Sequence, residues 1–116
     1  KIISGAQTGA DRAGIDAAIE SGIPYGGWIP KGRKAEDGTV PDTYTELQEL
    51  TRGGYPKRTE QNVIDSDGTV IFTYGKLSTG SALTAKFARQ HNRSYLHIDL
   101  DVEPGPVTRV KEWILG

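Results

Sequence analysis

A chain of 116 residues is about one domain, large enough to bury roughly two-thirds of the surface its unfolded form exposes. Fourteen Lys and Arg stand against fifteen Asp and Glu, a net charge of −1, so no global field favours nucleic acid or an anionic membrane, and any anion site must be local. Cysteine is absent, which excludes disulfides, thiol nucleophiles and Cys-ligated metal. No apolar run reaches the length of a membrane span and no signal-peptide pattern opens the chain, so the expected setting is cytoplasmic. Methionine is also absent, and residues are therefore expected to precede Lys1.

The first apolar run, Lys1 to Ser4, reads as a strand. It runs into Gly5-Ala6-Gln7-Thr8-Gly9-Ala10-Asp11-Arg12 and then into a helix from about Asp11 to Ser21. Ile15, Ala18, Ile19 and Gly22 or Ile23 form its apolar stripe, and Gly22 is its stop. A glycine loop between a strand and a helix points its N–H groups, and the positive end of the helix dipole, at one spot where anions bind. Gly5 and Gly9 allow tight turning, Thr8 offers a hydroxyl, Gln7 an amide and Arg12 a cation, with Asp11 or Thr8 as a cap. The spacing is neither the dinucleotide Gly-x-Gly-x-x-Gly nor the Walker loop. A plain structural turn is the alternative, but it needs less polarity than Gln-Thr-Gly-Ala-Asp-Arg provides.

A second strand, Tyr25 to Ile29, leads into a glycine-rich and proline-rich stretch from Pro30 to Pro56. Lys31, Arg33 and Lys34 fall within four residues around Gly32, a cluster suited to phosphate or carboxylate, although a solvated charged loop would look the same. Asp37-Gly38 is a turn signal, and Thr43 to Thr51 is compatible with a short helix. A loop this long in a small domain is usually functional or packs on a neighbour, so a homo-oligomer is expected.

A helix from about Lys57 to Asp65 places Arg58 and Asn62 on one face as cation and amide. Glu60, Asp65 and Asp67 are the clustered acids available as a general base, with helix solvation and capping as the alternative. A strand from Thr69 to Tyr74 is followed by a second hydroxyl-rich turn, where Ser78 or Thr79 is a natural N-cap and Gly80 and Ser81 follow. The helix from Thr79 to Gln90 shares Leu83, Phe87 and Ala88 on one face. A strand from Ser94 to Asp99 follows, then a helix after Pro106 with Val107, Val110 and Ile114 inward. His91 and His97 sit outside any ligand-spaced cluster, so no metal site is expected. Strands alternating with helices predict an α/β fold: a three-layer α/β/α, Rossmann-like single ligand-binding domain over residues 1–116 with a mostly parallel sheet. Its loops would share the crevice at the carboxyl ends of the strands.

The motifs together resemble those of the molybdenum-cofactor carrier proteins. Gly5 to Arg12 is similar to the family's Gly-Gly-Gln-Thr-Gly-Ala-Asp-Arg. Gly26 to Gly38 resembles its Gly-Gly-Trp-x-Pro-Lys-Gly-Arg-x-Ala-Glu-Asp-Gly, and Arg58 to Asp67 its Arg-Thr-x-x-Asn-x-x-Asp-Ser-Asp. Ala6 replaces a glycine of the first motif, Ile29 stands where the family commonly has Cys, and Thr79-Gly80-Ser81 replaces Gly-Gly-Thr. An isoleucine cannot contact metal through sulfur. The family usually adds a strand beyond the last helix, so a sheet edge is expected past Gly116. The resemblance implies binding, storage or delivery of molybdenum cofactor, a pterin with a terminal phosphate whose own dithiolene holds the metal. Molybdoenzyme apoproteins would be the partners, no catalytic residue is needed, and neither nucleic acid nor membrane is involved. On that view Gly5, Gln7, Thr8, Gly9, Asp11 and Arg12 hold the phosphate. Lys31, Gly32, Arg33, Arg58 and Asn62, with Ser78, Thr79, Gly80 and Ser81, line the rest. The competing readings are a nucleotide or nucleotide-sugar hydrolase of the lysine-decarboxylase-like kind, in which Glu60 or Asp67 activates water, and a nucleotide-sensing module. Those hydrolases carry a glutamate in a Pro-Gly-Gly-x-Gly-Thr-x-x-Glu loop, and none follows Gly80 in this turn.

Overall fold

In the computed structural model, all residues from Lys1 to Gly116 are described except Thr8, Gly53 and the side chain of Tyr55. The chain begins with β1 (Ile2–Ile3), passes through the glycine loop and enters α1 (Ala10–Ser21). Gly22 ends α1 in the left-handed conformation (φ 68°), its N–H and that of Ile23 returning to the last-turn carbonyls, the capping geometry that glycine adopts without steric cost. The chain then forms β2 (Tyr25–Gly26) and β3 (Trp28–Ile29), a 3-10 turn at Lys31–Arg33, β4 (Lys34–Ala35), β5 (Gly38–Thr39) and β6 (Gln48–Glu49). α2 (Tyr55–Asp65), β7 (Gly68–Thr73), α3 (Thr79–Gln90), β8 (Ser94–Asp99) and α4 (Pro106–Leu115) complete it.

Among the described residues the strands form pairs. β1 runs parallel to β2, with Ile2 opposite Tyr25, and β3 runs parallel to β6, with Trp28 opposite Gln48. β7 and β8 are parallel over six residues, from Gly68 opposite Ser94 to Thr73 opposite Asp99, and β4 with β5 is an antiparallel hairpin. The result is a compact mixed α/β fold with four helices and short parallel strands, and a Cα radius of gyration of 13.8 Å, close to the roughly 13 Å typical of a compact chain of this length.

Two expected elements change. The strand predicted from Tyr25 to Ile29 is divided at Gly27, whose φ is 142° and whose missing Cβ would collide with the carbonyl oxygen of Ser4. Its first half bonds β1 and its second half β6. Thr43 to Thr51 is not a helix: the amides of Gln48 and Leu50 donate to the carbonyls of Gly27 and Ile29 at 2.9 Å. A helix would give up these ladder bonds.

The core lies beneath the first loop and the hairpin. Ala6, Ile15, Ile29, Val40 and Tyr44 are buried together, with Tyr25, Ala35 and Leu47 packed against them. The stretch that resembled a free loop therefore carries part of the hydrophobic centre through Val40 and Tyr44. At the other end of the chain, α4 buries no residue, and Val107 and Ile114, expected inward, are exposed. The helix is applied to β8 through Trp113, whose ring covers Gly68 and whose indole N–H donates to Ser94 Oγ at 3.2 Å.

Candidate functional site

Three loops follow the carboxyl ends of β1, β3 and β7, and the first two are tied into one body. Ser4 Oγ donates to the Asp11 carbonyl at 2.8 Å and accepts from the Ala6 N–H at 3.1 Å, fastening the loop to the first turn of α1. Ala6 is fully buried with φ 55°, a left-handed conformation that costs an alanine about 1–2 kcal/mol. Gln7 is only 4% exposed. Its side-chain N–H donates to the Lys34 carbonyl at 3.1 Å and its side-chain oxygen accepts from the Glu36 N–H at 2.9 Å. The amide thus holds the β4–β5 hairpin against the loop.

Gly9 (φ 69°) caps α1, with no side-chain cap. Asp11, expected as a cap, instead lies within the first turn and folds its carboxylate back onto the Gln7 N–H at 3.3 Å. Thr8 lies outside the described residues. The first intrahelical bond runs from the Ala13 N–H to the Gly9 carbonyl, so the preceding amides have no acceptor within the helix. Burial pushes the Asp11 carboxyl above the usual carboxylate range, while the Arg58 charge and the Gln7 N–H oppose that shift.

Arg58 reaches this point from α2. Its guanidinium is 3.8 Å from Asp11 Oδ2 and its side chain is 13% exposed. It lies on Gly5 so closely that a Cβ there would be 2.8 Å from Cζ and would collide with Nη1. Glycine at position 5 is therefore a requirement of this close approach and not of turning. One helical turn on, Asn62 accepts from the Trp28 N–H at 2.7 Å and donates to the Trp28 carbonyl at 3.0 Å. The Trp28 indole donates to Asp65 at 2.7 Å. Arg58 and Asn62 do share one side of α2, and that side is fastened to the loop and to β3.

The cationic loop is similarly engaged. Arg33 donates to the carbonyls of Val40, Pro41 and Tyr44, ordering the segment that supplies the core, and the Gly32 N–H donates to Glu49 at 3.0 Å. Lys31 is exposed, with no side-chain bond among the described residues. Arg12 donates to the Ala6 carbonyl at 3.3 Å and makes a two-pronged pair with Asp37, at 2.6 and 2.8 Å. The hydrogen-bonded partner holds the Arg12 guanidinium above its ordinary value and the Asp37 carboxyl below its own.

The third loop stands apart. Ser81 Oγ accepts from the Ser78 N–H and donates to the Ser78 carbonyl, both at 2.8 Å, closing the start of α3 on itself. Thr79 and Gly80 are exposed. At the base of the loop Thr73 Oγ1 donates to the Gly75 carbonyl at 2.6 Å and lies 2.7 Å from His97 Nε2. A hydroxyl has one proton, so the imidazole carries its own on Nε2. Asp99 accepts from the N–H groups of Gly75 and Asp101. No hydrogen bond among the described residues joins Ser78–Ser81 to Gly5–Arg12.

The two acids that would activate water in the hydrolase reading lie elsewhere. Glu60 pairs with His91 at 3.0 Å, and Asp67 is exposed just before β7, at the opposite end of that strand from the Ser78 turn. Among the described residues no group of His, Asp and Glu is arranged to hold a metal ion, and no helix is long and apolar enough to cross a membrane. A shallow depression of about 500 Å³ lined by Ile19, Ile23, Pro24 and Tyr25 lies at the amino end of β2, away from all three loops. Sequence reasoning missed Ser4 as an organiser of the site. Trp28 and Asp37 left a signal, as an aromatic before and an acid after the cationic run, but their bonding partners were not legible.

Fold and loops define a small α/β domain with glycine-rich turns at its strand ends, the first braced by a half-buried arginine. The chain belongs to the circularly permutated YpsA SLOG family, whose profile matches residues 2–116. It is also 56% identical to a protein from Syntrophus aciditrophicus, named a "putative molybdenum carrier protein", whose crystal structure superposes with a TM-score of 0.94 over 98% of this chain and 73% of that one. No curated protein sequence matches the chain.

Proposed function

We propose that the chain binds a phosphate-bearing small molecule at the amino end of α1 and carries or stores it without converting it, the cargo being molybdenum cofactor. The observation that carries this reading is the braced Gly5–Arg12 loop. Ser4, Gln7 and Arg58 hold its described residues, while the first amides of α1 lack helical acceptors, the arrangement that favours an anion. Binding to prepaid geometry costs little reorganisation. The name of the Syntrophus protein supports molybdenum as part of the cargo.

On this reading Gly5, Gln7, Thr8, Gly9, Asp11 and Arg12 form the phosphate wall, with Gln7 and Asp11 acting as braces. Lys31, Gly32 and Arg33 lie on the flank, Arg58 and Asn62 support the wall from α2, and Ser78, Thr79, Gly80 and Ser81 face the rest of the cargo across the crevice. Residues 1–116 act as one Rossmann-like domain of three α/β/α layers, with the strand pairs as segments of a mostly parallel sheet. A cytoplasmic homo-oligomer that hands cargo to molybdoenzyme apoproteins completes the reading. Glu60 and Asp67 have no part in it.

The test is expression in a host that makes the cofactor, followed by molybdenum analysis and mass spectrometry of whatever leaves the denatured protein. Near-stoichiometric molybdenum together with a phosphorylated pterin is the expected result. A nucleotide in its place, or release of free base from added nucleoside monophosphates, would overturn the carrier reading in favour of the sensing module or the hydrolase.

A further inference from the structure

The guanidinium best placed to meet an anion at the first loop is already engaged. Arg12 touches that loop through the Ala6 carbonyl, and both of its terminal nitrogens are taken by the two oxygens of Asp37. Asp37 sits in the turn of the β4–β5 hairpin, between Ala35 and Gly38, which pair across it. The base of that hairpin is fixed independently of Arg12, by Gln7 on one side and by Arg33 on the other. Gln7 also holds the Glu36 N–H within the turn, so only its Asp37 end depends on the Arg12 pair. The Asp37 side chain is 48% exposed, so water and ions reach the pair.

We infer that Asp37 is a built-in competitor for the anion subsite: its carboxylate occupies the Arg12 fork as a ligand oxyanion would, so an incoming anion must displace Asp37 to reach the guanidinium. The inference rests on the phosphate-site reading above and specifies what occupies that site before its ligand arrives. A planar guanidinium presents one two-pronged face that suits a carboxylate and a phosphate equally well. A monoanion arriving at the loop exchanges one carboxylate-like charge for another and gains little. A phosphate monoester, with its second negative charge near neutral pH, also engages the amides at the start of α1 and displaces Asp37. The Asp37 end of the turn is released when it does, while Gln7 keeps Lys34 and Glu36 in place.

The experiment compares wild type, Asp37→Asn and Arg12→Gln by calorimetry with inorganic phosphate and with acetate at pH 7.5. Hydrogen exchange of residues 34–39 is followed in the same samples. Exposed ion pairs are weak, so the expected gain in phosphate affinity for Asp37→Asn is about threefold to fivefold, with acetate binding raised by a similar factor. Arg12→Gln should lose phosphate binding, and phosphate should speed exchange at the hairpin tip of the wild type. Unchanged or weaker phosphate binding by Asp37→Asn overturns the competitor while leaving the site itself intact. Absence of phosphate binding by the wild type overturns both the site and the inference.

Discussion

The loops after β1 and β7 look alike in sequence, each with glycine, hydroxyls and the start of a helix, yet the protein builds them differently. The first is held from three sides: Ser4 from its own strand, Gln7 through the hairpin, and Arg58 from α2. The second closes on itself through Ser81 and leaves Thr79 and Gly80 in solvent. Glycine is required at position 5 because another side chain occupies the place of its Cβ, whereas at position 80 no atom lies within 4 Å of that place. Similar composition therefore hides two physical roles, a preformed wall and an adaptable margin.

The same substitution made in both loops tests this contrast most directly, and its larger arm comes first. Gly5→Ala forces the Arg58 side chain off the loop and should destabilise by about 3 kcal/mol, the upper end of overpacking costs, as measured by urea unfolding. Asn62→Ala strips two hydrogen bonds from the Trp28 backbone and leaves its N–H and carbonyl unpaired, for a loss of about 2 kcal/mol by the same measurement. Gly80→Ala, with open space and no left-handed φ, should instead stabilise by about 0.5–1 kcal/mol, because alanine restricts the unfolded chain. Equal losses at positions 5 and 80 would erase the distinction between the loops.

The smallest effect is a difference in pH dependence within the braced region. Asp37 is held below the ordinary carboxylate range by its bond to Arg12, so its contribution to stability is present above about pH 4 and is lost as pH falls through its lowered value. Asp11 is raised by burial, so its contribution is present at low pH and is lost as pH rises through its raised value. Urea midpoints taken from about pH 3 to pH 7 should show Asp37→Asn falling behind wild type as pH rises and Asp11→Asn catching up. Parallel curves for the two variants would show that their environments do not differ in this way.

Much of the architecture is legible in the sequence because periodicity and punctuation report on backbone state. The helix expected from Thr79 to Gln90 and the strand from Ser94 to Asp99 are found with those ends, and Gly22 ends α1 as expected. The β3–β6 pairing is not legible, since two-residue strands carry no period and their partners are distant in sequence. Nor are the bonding roles of the polar side chains. The amides of Gln7 and Asn62 and the guanidinium of Arg33 suit a phosphate oxygen as well as a backbone carbonyl or N–H, and the fold turns all three toward backbone. A motif fixes which donors are present, while tertiary packing decides what they meet. The exposed face of α4 shows the same limit: a stripe of Val107, Val110 and Ile114 signals an apolar face, but a large ring over Gly68 decides which side of the helix rests on β8.

Ala6 carries a consequence for how this loop can vary. Replacing it with glycine would relieve a left-handed alanine, a gain of about 1–2 kcal/mol. The same change would empty the space of one buried methyl, about 0.8 kcal/mol, and loosen the unfolded chain by a further 0.5–1 kcal/mol or so. These contributions nearly cancel. A branched or longer side chain has neither the dihedral freedom nor the room, since the residue is fully buried beside Ile15, Ile29 and Val40. In a saturation library selected only for folding, position 6 should behave as a two-letter alphabet, alanine and glycine interchanging almost silently and every other letter lost.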